Sequence, residues 1–124
     1  MFEGKNEKCV TLVGKKLFGM WLAKAINLIE GKPSTVNFDY NYILEREDQK
    51  HDIIGWLHSH PNWKADPSVT DDDTMHAWVC SLGRPLLCGI QGTDGLKFWL
   101  YFDDQSDPIL VNHIQLGKFF CGSY

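Results

Sequence analysis

The sequence of 124 residues is poor in the features that announce several common protein classes. It has no excess of positive charge. Twelve Lys and Arg stand against sixteen Asp and Glu, a formal net charge of −4, which argues against nucleic acid or an anionic membrane as the main partner. No apolar run approaches the length of a membrane span. The opening residues, MFEGKNEKCVTLVG, put charges where a secretory signal needs an apolar stretch. The four cysteines (Cys9, Cys80, Cys88 and Cys121) form no CxxC pair and no dense framework. Reduced thiols in a cytoplasmic protein are therefore expected. With no internal repeat, low-complexity tract or linker, residues 1–124 read as one domain.

What is present is an ordinary globular composition, 44% apolar and 23% charged. A chain of this size buries roughly two-thirds of its unfolded surface. Five Trp, seven Phe and four Tyr suit a well-packed core or an aromatic-lined groove.

Patterning along the chain predicts an α+β domain with a mixed or largely antiparallel sheet. CVTLV (9–13) is a short β-branched strand closed by Gly14. In residues 16–29 the apolar Phe18, Trp21, Leu22, Ala25, Ile26 and Ile29 recur at helical spacing, although Gly19 also allows a long bent strand. GKPST (31–35) is turn chemistry. VNFDYNYIL (36–44) alternates as a strand, and EREDQKHD (45–52) reads as a charged loop. IIGWLHSH (53–60) is a clear strand that runs into Pro61, which lacks the backbone donor needed to continue pairing. After the loop PNWKADPS, a helix begins with SVTDDD and ends at Gly83. PLLCGI (85–90) and LKFWLYF (96–102) form a hairpin about QGTDG. PILVNHIQLGKFF at 108–120 is a terminal strand or short helix.

The chemistry lies where the 53–60 strand meets the following helix. Residues i and i+2 of a strand share a face, so His58 and His60 present two imidazoles side by side. The acidic start of the helix offers a third ligand: Asp71 first, with Asp72 and Asp73 as competitors. Two His and one carboxylate fill three corners of a zinc tetrahedron and leave the fourth open, the ligand set of a hydrolytic site. Each part also has a purely structural reading, since Ser68-x-x-Asp71 is the spacing of a helix cap and acidic residues complement a helix N-terminus. The conjunction is more specific than its parts.

The order His58-Ser59-His60-Pro61, a gap filled by Pro61 to Pro67 without insertion or deletion, then Ser68-Val69-Thr70-Asp71, all preceded by IIGWL, resembles the JAMM (MPN+) metalloproteases. These are zinc isopeptidases that include the deubiquitinase subunits of the proteasome lid and signalosome. The resemblance is specific over residues 53–71, and the later strands extend it over most of the chain. It implies a JAB/MPN fold, a cytidine-deaminase-like curved mixed sheet flanked by helices, and it favours a strand over 16–29. It further implies one Zn2+ per chain on His58, His60 and Asp71, with Ser68 steadying the oxyanion of a tetrahedral intermediate.

Such proteins draw a catalytic Glu from a distant strand in a pattern like E-x-x-G-L-L-x-G. Glu7 to Gly14 fits, with Val10 in place of the first Gly, so Glu7 is the expected general base. Glu3 and Glu30 are its competitors, while Glu45 and Glu47 fall in the charged segment. The resemblance implies a peptidase or isopeptidase acting on an amide bond, at the tail of a ubiquitin-like or sulfur-carrier-like protein laid along a sheet edge. Processing of another protein in a phage or defence system is an alternative, as is a non-catalytic scaffold, although scaffolds usually lose the ligands retained here. A deaminase-like zinc enzyme ranks lower because no CxxC accompanies the histidines. Relatives usually place a strand and a helix before the Glu, and only six residues precede Glu7. Either the chain is a minimal form, a second copy or a partner chain supplies that layer, or the chain start is truncated.

Overall fold

Strand β1 (Lys8–Leu17) carries the β-branched run Val10 to Val13, every residue of it buried. It turns back into β2 (Met20–Glu30) with Leu17 paired to Met20. Phe18 and Gly19 close the turn with φ of 51° and 77°, the positive pair that a two-residue hairpin loop requires. The structure, a computed structural model, describes residues 2–32 and 38–117.

Helical spacing over 16–29 therefore belongs to a strand, and the register shows why it misled. Cys9 pairs with Ile29 but Thr11 with Ile26, so Asn27 and Leu28 together oppose one residue of β1. This bulge, with Asn27 at φ 55°, breaks strict alternation and puts Ile26 and Ile29, opposite Thr11 and Cys9, on one face of the sheet at a helix-like spacing.

Two further expectations are corrected. The strand over 36–44 and the loop over 45–52 are replaced by helix α1 (Tyr40–Lys50), and residues 33–37 lie outside the described residues. Asp39 starts the helix by accepting from the Tyr42 amide at 3.2 Å. His51, at φ 55°, ends it by donating to the carbonyls of Arg46 and Glu47. The cap and a run of Glu, Arg, Gln and Lys outweigh the short alternation of aromatics.

Strand β3 (Ile53–Ser59) is buried along its whole length, as befits a central strand covered on both faces. It runs antiparallel to β1 and parallel to β4 (Leu86–Gly92). Between them helix α2 (Val69–Leu82) crosses the sheet, closed by Gly83 in the left-handed conformation. The expected hairpin joins β4 to β5 (Gly95–Tyr101). The terminal segment forms two short strands, β6 (Ile109–Val111) and β7 (Ile114–Leu116); residues 118–120 of the expected element, and Cys121, lie outside the described residues.

The seven strands are ordered β6-β5-β4-β3-β1-β2-β7. Consecutive strands β6 and β7 thus occupy opposite edges. Three Cα steps from Val111 to Ile114 reach about 11 Å at most, whereas a flat sheet would separate its edge strands by about 29 Å. The sheet must curl. Val10, Leu12, Ala23, Ala25, Leu57, Leu87 and Phe98 fill one of its faces. The other face packs Trp56, Ile53 and Cys88 against Ile43 of α1 and Met75, Trp78 and Val79 of α2. The architecture is α+β, a curled mixed sheet with two helices among the described residues.

Candidate metal centre

Strand β3 ends where its polar residues begin. Trp56 and His58 share the helix-facing side of the sheet, and His60 continues it. The His60 amide extends the β3–β4 ladder by donating to the Gln91 carbonyl at 2.8 Å. Ser59, on the other side, accepts from the Lys8 amide at 2.9 Å. Pro61 then turns the chain away, as expected from its missing donor.

Helix α2 delivers the carboxylate. Ser68 caps it reciprocally: its hydroxyl accepts from the Asp71 amide at 3.1 Å, and its own amide donates to Asp71 Oδ2 at 2.9 Å. This capping box fixes the Asp71 rotamer and aims the carboxylate at β3. Asp71 Oδ1 lies 3.2 Å from His58 Nε2 and Oδ2 lies 3.2 Å from His60 Nε2. The two Nε2 atoms are 3.2 Å apart. In a zinc tetrahedron with bonds near 2.0–2.1 Å, neighbouring ligand atoms sit about 3.3–3.4 Å apart. The donor set fits the metal in type and in spacing, and it is the one cluster of three such groups among the described residues.

His60 is oriented by its other ring nitrogen, which donates to the Lys64 carbonyl at 3.0 Å. That bond puts a proton on Nδ1 and turns Nε2 toward the cluster. Electrostatics bind the cluster together. Burial works to raise the Asp71 pKa, but hydrogen bonds to His58 and His60 outweigh it and hold the carboxyl far below its ordinary value. Burial works to lower that of His60, and Asp71, the Lys64 carbonyl and Glu7 outweigh it in the opposite direction.

Glu7 lies in the same neighbourhood. Cys9 pairs with His58, so two residues further along the antiparallel register Glu7 stands opposite His60, on the face of β1 shared with Cys9. Its backbone is anchored by bonds to Lys32 and Gly31 at 2.9 and 2.8 Å. Burial raises its pKa, with His58 and His60 opposing and Asp71 adding to the rise. Glu30 pairs with Lys8 and therefore projects from the other face, where Asn6 donates to it at 2.8 Å. Glu3 is exposed. Glu47 is held by Arg84 across α1, and Glu45 by Gln49. Of the competitors to Asp71, Asp72 instead accepts a short hydrogen bond from the buried Tyr101 hydroxyl, and Asp73 is exposed.

Several contributors carry no sequence signal. The Lys64 acceptor is a backbone carbonyl, which no residue identity reveals. Trp63 sits beside His60, ring centroids 5.3 Å apart, in a segment expected only as a loop.

The sequence profile described as prokaryotic homologues of the JAB domain matches residues 3–101. No curated protein matches the chain. Among solved structures, the chain is similar to the solution structure of protein DSY2949 from Desulfitobacterium hafniense, with 21% identity, a TM-score of 0.55, and coverage of 92% of this chain and 80% of that one. At that identity the likeness speaks to the fold alone.

Proposed function

Because the chain belongs to the family of prokaryotic homologues of the JAB domain, we propose that it is a zinc-dependent peptidase or isopeptidase of the JAMM type. The observation that carries this reading is the cluster in which His58 Nε2 and His60 Nε2 lie 3.2 Å from each other and 3.2 Å from Asp71 Oδ1 and Oδ2 respectively, with Glu7 facing it from β1. Zinc held there would polarise the scissile carbonyl and acidify the attacking water. Glu7 would serve as the acid–base group, accepting a proton from the attacking water and returning it to the leaving amine. The Ser68 hydroxyl, having accepted from the Asp71 amide, keeps its own proton to donate to the developing oxyanion.

The substrate we propose is the extended tail of a ubiquitin-like or sulfur-carrier-like protein, since a narrow tail can lie along a strand edge as main-chain hydrogen bonds form. Metal analysis of the purified chain tests the reading. About one zinc per chain is expected, with most of it lost in His60→Ala because a two-ligand site holds zinc poorly. A wild-type chain that takes up no zinc would sink the enzyme reading and leave a binding module.

A further inference from the structure

His60 depends on a single acceptor, the Lys64 carbonyl, and that carbonyl sits in a loop with no regular structure of its own. The loop is nonetheless held at successive peptides from Trp63 to Ala65. The Trp63 carbonyl accepts from the Thr93 amide at 2.9 Å. The Ala65 amide donates to Asp94 Oδ1 at 2.7 Å, and the Ala65 carbonyl accepts from Trp99 Nε1 at 3.0 Å. Ala65 itself is fully buried. Lys97 steadies Asp94 and the adjoining Asp66 at 3.1 and 3.2 Å. Beneath the loop lies Gly92, where a Cβ would stand 2.4 Å from the Lys64 carbonyl carbon and 2.3 Å from the Ala65 nitrogen. The groups that hold the loop, Gly92, Thr93, Asp94, Lys97 and Trp99, belong to the β4–β5 hairpin, which supplies no ligand to the cluster.

We propose that Gly92, Asp94 and Trp99 are positioning residues for the metal centre: they seat the Lys64–Ala65 peptide so that its carbonyl locks the His60 ring with Nε2 turned toward the site. This rests on the proposed zinc reading and extends it to residues that touch neither metal nor substrate. Partners of this outer kind typically change metal affinity by about 10- to 100-fold. Gly92 is suited to a steric test, because its φ lies outside the left-handed region and an alanine backbone is allowed there. The added methyl group alone would displace the peptide. Trp99→Phe removes the N–H but keeps a ring. Asp94 sits in an exposed turn, so its replacement leaves the core untouched.

The experiment compares zinc affinity, by competition with a chelating indicator, in the full-length wild type, Gly92→Ala, Trp99→Phe, Asp94→Ala and Asp94→Asn. Proton–nitrogen correlation spectra of the metal-free chains report the hydrogen-bonded Nδ1–H of His60. The first three variants are expected to bind zinc about 10- to 100-fold more weakly and to lose the exchange-protected Nδ1–H signal. Asp94→Asn, which keeps an oxygen acceptor, should stay near wild type. Unchanged affinity and an unchanged Nδ1–H signal in Asp94→Ala and Trp99→Phe would overturn the inference while leaving the zinc reading intact. If the wild type binds no zinc, the proposed function falls, and the Nδ1–H signal alone decides the positioning role.

Discussion

At the residue scale the molecule separates groups that react from groups that are shielded. Glu7→Gln keeps the size and position of the side chain but cannot carry a proton. It is expected to retain zinc while hydrolysis falls about 10²- to 10⁴-fold, the usual contribution of a positioned acid–base group, measured as turnover of a peptide substrate against zinc content. Full activity in this variant would place the base elsewhere. The cysteines give an independent check of burial. Cys9 and Cys88 are buried and Cys80 is exposed. Burial, with Asp71 and Glu7 adding to it, pushes the Cys9 thiol up to about 12, and burial likewise raises Cys88. Thiolate is the reactive form, so a maleimide should label Cys80 in the native chain and spare Cys9 and Cys88 until denaturant is added. Peptide mapping reads the order.

At the element scale the two helices are fastened to the sheet by paired charges that repetitive packing would not supply. Arg84, just beyond α2, donates twice to Glu47 of α1 at 2.7 and 2.6 Å and twice to the Ile53 carbonyl at 2.8 and 3.2 Å. The Arg84 hydrogen bonds are the largest influence on the Glu47 pKa and hold it below its ordinary value, although burial opposes them. A carboxyl whose folded pKa is depressed stabilises the fold fully above its unfolded pKa, and that contribution disappears as pH falls through the folded value. The wild type should therefore lose stability more steeply than Glu47→Gln as pH drops from about 5 toward 3. Chemical denaturation at several pH values measures this, and parallel slopes would remove the ion pair from the account. The same scale explains the misreading of residues 36–52. Their local alternation is short, whereas the Asp39 cap, the buried Ile43 and the Arg46–Asp52 pair at 2.7 Å act only once a helix exists.

At the scale of the whole molecule, neighbouring strands of the sheet approach each other closely at glycine positions. Gly55 sits at φ 156°, and a Cβ there would fall 2.0 Å from the Leu87 carbonyl oxygen of the neighbouring strand β4. No side-chain adjustment relieves a clash with backbone. Gly55→Ala is expected to destabilise the chain by roughly 3 kcal/mol or more, through strain at a special backbone conformation combined with overpacking. The midpoint of denaturant unfolding reads it, and an unchanged midpoint would mean that β3 and β4 are less tightly apposed. Because β3 also carries His58, the same substitution should weaken zinc binding in whatever fraction remains folded.

The sequence by itself determined the parts whose signal is local. Alternation puts His58 and His60 on one face, Pro61 ends the strand, and Ser68-x-x-Asp71 caps the helix, because each depends only on geometry within a few residues. The hairpin about QGTDG was legible for the same reason. What only the tertiary structure decided depends on distant partners. The bulge at Asn27 depends on pairing with β1. The choice of Asp71 over Asp72 and Asp73 depends on where α2 crosses β3 and on Tyr101 claiming Asp72. The closeness of Glu7 to the histidines, expected only through the family pattern, follows physically from the β1–β3 register. The Lys64 carbonyl that orients His60 is a backbone atom with no letter of its own, held in place by residues of another hairpin.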